Sequence, residues 1–76
     1  MEREAIFALS AGIAVLTGLG PALAQGYIGG KAVEALGRQP QAADELLRTM
    51  VLGQAVAETT GIYAFVIAIM LVLKIS

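Results

Sequence analysis

Glu58 is the one charged residue in a run of 25, from Thr49 to Leu73, that is otherwise built for an apolar environment. An acidic side chain at the centre of a membrane helix costs about 2.5–3.5 kcal/mol on insertion scales, so its presence needs a compensating reason. Polar side chains gather near it. Thr59 and Thr60 follow directly, and Tyr63 lies four residues beyond Thr59, on a helical face adjoining that of Glu58. Gln25 is the strongly polar side chain deep in the first apolar run. The midpoint between positions 25 and 58 falls beside Pro40-Gln41-Ala42. A turn there sets Gln25 and Glu58 at equal depth. Five oxygen-bearing side chains then meet at one level: Gln25, Glu58, Thr59, Thr60 and Tyr63.

Oxygen ligands of this kind suit a hard cation. A proton needs only the carboxylate and one acceptor, so the further oxygens are redundant for carrying a proton. For a monovalent cation they replace the lost hydration shell, and the ion neutralises Glu58. The plainer alternative is a protonated Glu58 that bridges two helices by a hydrogen bond. The polar neighbours weigh against it.

Composition narrows the class. The chain has 76 residues, 58% of them hydrophobic and 14% charged, with a mean hydropathy of +0.80. An average globular protein carries about 25% charged residues. The net charge is −1 and there is no basic tract, so nucleic-acid binding has no electrostatic footprint. Without Cys or His there is no disulfide, zinc site, thiol nucleophile or imidazole base. "GLGPAL" begins like a dinucleotide fingerprint but has Leu23 where the third glycine belongs, and no strand precedes it. "GGKA" lacks the Ser or Thr of a phosphate loop.

The elements that position Glu58 and Gln25 are two long apolar spans. Ala5 to Gly30 is 26 residues without a charge, and Thr49 to Leu73 is 25 with only Glu58. At about 1.5 Å per residue each reaches roughly 37–39 Å, enough to cross a hydrocarbon core of about 30 Å. Between them, 31–48 carries six charges: Lys31, Glu34, Arg38, Asp44, Glu45 and Arg48. Pro40 removes a donor and biases Gln39 away from helix, so the turn belongs here. The expected organisation is one helical hairpin: a first helix over about 4–37, a polar loop over about 38–43 and a second helix over about 44–75. Three Lys or Arg flank the loop against Arg3 and Lys74 at the other end, which favours a cytoplasmic loop with both termini opposite. Met1-Glu2-Arg3-Glu4 lacks the positive start of a secretory signal, so the first run is expected to be retained.

Small residues dominate the first span. Gly18, Ala22, Gly26 and Gly30 form one ridge with a spacing of four, and Gly20 and Ala24 a neighbouring one. Gly53, Ala57 and Gly61 repeat the spacing in the second span. In lipid such faces let backbones approach closely, and one partner helix covers only part of so broad a face. A tightly packed oligomer is expected.

At this point the residues resemble a family. "GLGPALAQGY", the loop "EALGRQPQA" and "TMVLGQAVAETTGIY" are similar to the c subunits of F-type ATP synthases, the rotor-ring proteolipids, over essentially the whole chain. The Arg38-Gln39-Pro40 signature with a carboxylate 18 residues beyond the proline is the most specific part. The fold this implies is an all-α membrane protein, a two-transmembrane-helix hairpin that assembles with identical c subunits into a homo-oligomeric ring. The function implied is that of a non-catalytic rotor component. The ring turns against the a subunit of the stator, and Glu58 takes up and releases ions as it passes. Arg38, Gln39 and Pro40 imply a docking surface for the gamma and epsilon subunits of the central stalk. Membrane lipid surrounds the ring, and a bacterial plasma membrane is the expected location.

Sodium-coupled members of the family imply a ligand set that falls here on Gln25, Glu58, Thr59 and the backbone carbonyl of Val56. Tyr63 matches a residue that holds the carboxylate, and Thr60 one that holds a water. No resident cofactor is implied; Na+ is the transported ion, with H+ the alternative. Two departures from the pattern stand out. Threonine replaces the usual serine at position 59, and alanines at 22 and 24 interrupt a glycine series, where added methyls set neighbouring first helices apart. A small self-assembling membrane channel is the alternative from another class. It accounts for the hairpin but not for the ligand set or the Arg-Gln-Pro loop.

Overall fold

In a computed structural model of the chain, which describes residues 2–75, three α-helices and one turn of 3-10 helix make an antiparallel hairpin. Helix α1 is Arg3–Leu16, α2 is Leu19–Arg38 and α3 is Ala43–Leu73, with the 3-10 turn at Pro40–Ala42. The molecule is a rod of 58 × 15 × 13 Å, so its long axis exceeds the apolar thickness of a bilayer of about 30 Å. The charged segment around the turn therefore stands clear of the hydrocarbon.

The turn forms where Pro40 dictates it. Gln39 leaves the helical region (φ −136°, ψ 71°) because the proline ring crowds the residue before it. Its N–H still donates to the Ala35 carbonyl at 2.8 Å, closing α2. Its own carbonyl accepts from Ala42 N–H at 3.0 Å, opening the next turn. Arg38 in the last turn of α2 and Asp44 and Glu45 in the first turn of α3 each complement the helix dipole. Arg38, Gln39 and Pro40 are all exposed at the tip. Glu34 sits between Lys31 at 4.0 Å and Arg38 at 3.9 Å, pairs exposed enough to contribute little stability.

The first span is not one unbroken helix over 4–37. It is interrupted at Thr17–Gly18, where the expectation had a continuous helix. Pro21 has no N–H to give the Thr17 carbonyl, so the chain tightens instead. Thr17 N–H donates to Ala14 O at 3.1 Å, Gly18 N–H to Val15 O at 2.9 Å and Gly20 N–H to Thr17 O at 3.3 Å, each spanning three residues. The four-residue ladder resumes at Ala22 N–H to Gly18 O, 3.0 Å. Glycine suits position 18 for a specific reason: a Cβ there would come within 3.2 Å of Val15 O.

The helices meet along a seam that repeats about every three to four residues. Ala11, Pro21, Ala64 and Ala68 are its buried members, and among the described residues no large side chain is fully buried. Small residues at the seam let the helices approach without a core of large side chains. Leu9, Ile13, Leu16, Leu19, Leu23, Phe65 and Met70 instead face outward, each more than half exposed. The most apolar windows of the two spans are only 6% and 17% buried within the hairpin. A soluble protein does not leave this much apolar surface to water, so the faces belong to lipid and to other helices.

The small residues divide between two faces. Gly53, close to Ile28, and Gly61, close to Pro21, line the seam inside the hairpin rather than an outer face. Ala22, Ala24 and the open-sided Gly20, Gly26 and Gly30 point away from α3. Gly18 is half-buried, unlike those open-sided glycines, with the backbone of its own tightened turn against it.

The interruption yields a direct expectation. Pro21→Ala restores an amide donor for the Thr17 carbonyl, and the four-residue ladder should then run through. Amide hydrogen exchange at residues 17–20 should slow by about tenfold or more relative to the parent. Unchanged exchange there contradicts the assignment of the break to Pro21.

Candidate functional site

The antiparallel pairing sets the site. As α3 runs away from the turn, Gly53 packs on Ile28, Gln54 on Gly29, Glu58 on Gln25 and Gly61 on Pro21. The order of contacts is continuous and in register, so the depth of each pair follows from the position of Pro40.

Gln25 Nε2 donates to Glu58 Oε1 at 2.8 Å, an interhelical bond between two half-buried side chains 33 positions apart. A hydrogen bond in which one partner is ionised is roughly twice as strong as a neutral one, and low-dielectric surroundings increase its weight. The bond compensates part of the cost of carrying a carboxylate into the span. The side chain of Gln25 also has its carbonyl oxygen, an acceptor, to offer beside the carboxylate.

Gly61 supplies room for that arrangement. It lies one helical turn beyond Glu58, and a Cβ on it would collide with Glu58 Oε2 and meet Pro21 Cγ at 3.5 Å. A residue with a side chain here competes with the carboxylate for one space. Helix propensity alone disfavours glycine mid-helix, by about 1 kcal/mol against alanine. What glycine supplies at this position is open space beside the carboxylate.

The remaining residues expected at the site lie at its edge. The Thr59 hydroxyl donates back to Ala55 O at 3.5 Å, the long limit of such a bond, and is not directed to Glu58. Thr60 and Tyr63 are exposed on the outside of α3, Tyr63 at 63%, and Val56 at 68%. The single hairpin therefore brings together Gln25 and Glu58, and leaves Thr59, Thr60, Val56 and Tyr63 on a surface open to a neighbour. Gln54 was not anticipated from the sequence. Its Nε2 donates to the backbone carbonyl of Gln25 at 3.1 Å. The available signal was its spacing, four residues before Glu58 on one helical face.

Two helices long and apolar enough to cross a membrane, with one carboxylate in the apolar span bonded to an amide of the opposite helix, define a small membrane hairpin with a polar pair between its spans. The family model for the C subunit of ATP synthase matches residues 9–71, and the chain belongs to that family. It is 61% identical over 64 residues to the ATP synthase c subunit of Alkaliphilus oremlandii, covering 84% of this chain and 73% of the relative. It is 55% identical over 64 residues to the c subunit of Natranaerobius thermophilus, covering 84% and 74%. It is also 52% identical over 63 residues to the c subunit of Clostridium beijerinckii, covering 83% and 89%. The protein is thus a rotor component of an F-type ATP synthase, non-catalytic, membrane-embedded and assembled as a ring that moves ions.

The space at Gly61 makes a prediction. Gly61→Ala should displace the Glu58 carboxylate from Gln25 and weaken a bond that, to an ionised carboxylate, is worth about 1.5–3 kcal/mol. The reaction of Glu58 with a hydrophobic carbodiimide should change severalfold in rate, while assembly of the ring persists. An unaltered rate means that the carboxylate does not occupy the space beside Gly61.

Proposed function

We propose that Glu58 is the carboxylate that takes up and releases the coupling ion, and that this ion is sodium. The observation that carries the reading is the 2.8 Å bond between Gln25 and Glu58. It holds an amide, with its carbonyl oxygen, against the one carboxylate of the spans. Glu58 and Gln25 supply oxygens from one hairpin, with the Val56 carbonyl and the Thr59 hydroxyl nearby on the exposed side of α3. Tyr63 steadies the carboxylate and Thr60 helps retain a water. The next hairpin in the ring covers these outward groups and completes the coordination, which suits a hard monovalent cation.

In this reading the ring turns against the a subunit of the stator. An ion enters from one side, neutralises Glu58 for its passage past lipid, and leaves on the other side. Arg38, Gln39 and Pro40, exposed at the turn, dock the gamma and epsilon subunits of the central stalk, which carries torque to the catalytic head. Gly20, Ala22, Ala24 and Gly26, facing away from α3, pack the first helices of adjacent hairpins, with Gly18 beside them at the tightened turn. The membrane is a bacterial plasma membrane, with the polar loop cytoplasmic and both termini on the opposite side.

Proton coupling is the second reading, favoured by one observation: the Thr59 hydroxyl is engaged with Ala55 O rather than with Glu58. A proton on Glu58 needs no such ligand. The two readings separate in one experiment. Carbodiimide modifies protonated buried carboxylates, and bound sodium displaces that proton. Labelling of Glu58 in the isolated ring should slow by about tenfold or more as sodium rises at fixed pH, an occupancy effect of more than about 1.4 kcal/mol, and potassium should have no such effect. Glu58→Gln should abolish both labelling and ion-driven ATP synthesis in an assembled ring. Labelling indifferent to sodium identifies a proton site, and coupling retained in Glu58→Gln removes Glu58 from the role.

A further inference from the structure

Gln54 has no place in the ion-carrying role described above, yet it is a polar side chain inside the second span. Its position is half-buried at the seam, one helical turn from Glu58 toward the polar loop. Placing an amide there is unfavourable in lipid unless its polar atoms find partners. Nε2 finds one in the backbone carbonyl of Gln25, at 3.1 Å. The two interhelical bonds therefore converge on a single residue. Gln54 of α3 grips the main chain of Gln25, and the side chain of Gln25 grips Glu58 of α3 one turn further along.

Gly29 leaves room for the first grip. It lies opposite Gln54, and a Cβ on it would come within 3.1 Å of Gln54 Nε2, tighter than ordinary contact. The bare glycine thus admits the amide to the α2 backbone. The Gln25 carbonyl is a sound acceptor for this purpose, because a carbonyl oxygen has two lone pairs and helical bonding uses only one.

We propose that Gln54 is a positioning residue for the ion-carrying carboxylate: by tethering the main chain of Gln25 to α3, it fixes the reach of the Gln25 side chain to Glu58. The inference rests on Gln25 and Glu58 forming the ion site. Without the tether, only apolar contacts such as Ile28 on Gly53 hold the helices near this level, and α2 can slide or rotate against α3. Even a slight displacement lengthens the Gln25–Glu58 bond. Gln54 is not hydrogen-bonded to the carboxylate, so the route from it to Glu58 runs through Gln25.

The test is a thermodynamic cycle in the assembled ring, read as the rate of Glu58 labelling by dicyclohexylcarbodiimide at fixed pH, with and without sodium. Leucine at position 54 removes the amide and is one atom shorter, so it neither bonds to Gln25 nor crowds Gly29. Gln25→Leu should change the labelling rate, and Gln54→Leu should change it in the same sense by about 3- to 10-fold. The double variant should match Gln25→Leu alone, because the effect of Gln54 passes through Gln25. Gly29→Ala should shift the rate in that same sense in the parent and add nothing to Gln54→Leu. It also keeps the inference testable where Gln54→Leu does not assemble.

Three results overturn the proposal. If Gln25→Leu moves the rate and Gln54→Leu does not, the tether is without consequence for the site. If the two effects multiply, Gln54 acts by a route other than Gln25. If Gln25→Leu itself leaves the rate unchanged, the ion-site reading beneath the proposal fails, and the positioning role fails with it.

Discussion

A carboxylate within an apolar span is the constraint on which the rest of this structure depends. Glu58 is tolerable there only if something meets it at its own depth, and the bond from Gln25 does so from the opposite helix. That bond demands register. The two residues are 33 positions apart, and one residue added to the turn displaces Glu58 by about 1.5 Å along α3 and about 100° around it. Pro40 sets the turn, the turn sets the register, and the small seam residues bring the backbones near enough for the two side chains to meet. The hairpin has almost no core of its own, so its stability in isolation cannot come from burial of large side chains. Lipid and the neighbouring copies of the ring supply the surroundings for its outward faces.

Much of this was legible in the sequence. The spans follow from the charge-free runs, and the pairing of Gln25 with Glu58 follows from a turn at Pro40, because an antiparallel hairpin fixes depth by counting outward from its centre. The three residues of the turn are readable from the constraint that proline imposes on the residue before it. The interruption at Thr17–Gly18 was also present in the sequence, as Pro21, since a proline within a helix takes a donor from the residue four before it. A hydropathy run hides such a break, because the apolar character of the span is continuous through it.

Other features were beyond sequence reasoning for physical reasons. The division of small residues between the seam and the outer face depends on helix rotation, which the local tightening before Pro21 alters. A spacing of four places Gly53, Ala57 and Gly61 on one face without stating which neighbour that face meets. The bond from Gln54 to a backbone carbonyl leaves no mark on the partner residue, because every residue has a carbonyl. The spacing of Gln54 four residues before Glu58 marks the face but not the acceptor. Thr59, Thr60 and Tyr63 illustrate the converse. Their proximity to Glu58 in sequence does not gather them in one hairpin, because adjacent positions on a helix point in different directions.

The central claim is that the Gln25 amide holds the Glu58 carboxylate across the hairpin in the membrane-embedded ring. Solid-state NMR on rings labelled with 15N at the glutamine side-chain amides and 13C at glutamate carboxyls measures it directly. The predicted result is a through-space contact between Gln25 Nε2 and Glu58 Cδ within about 4 Å, lost in Gln25→Leu. A separation beyond about 6 Å in the assembled ring contradicts it, since no direct hydrogen bond spans that distance.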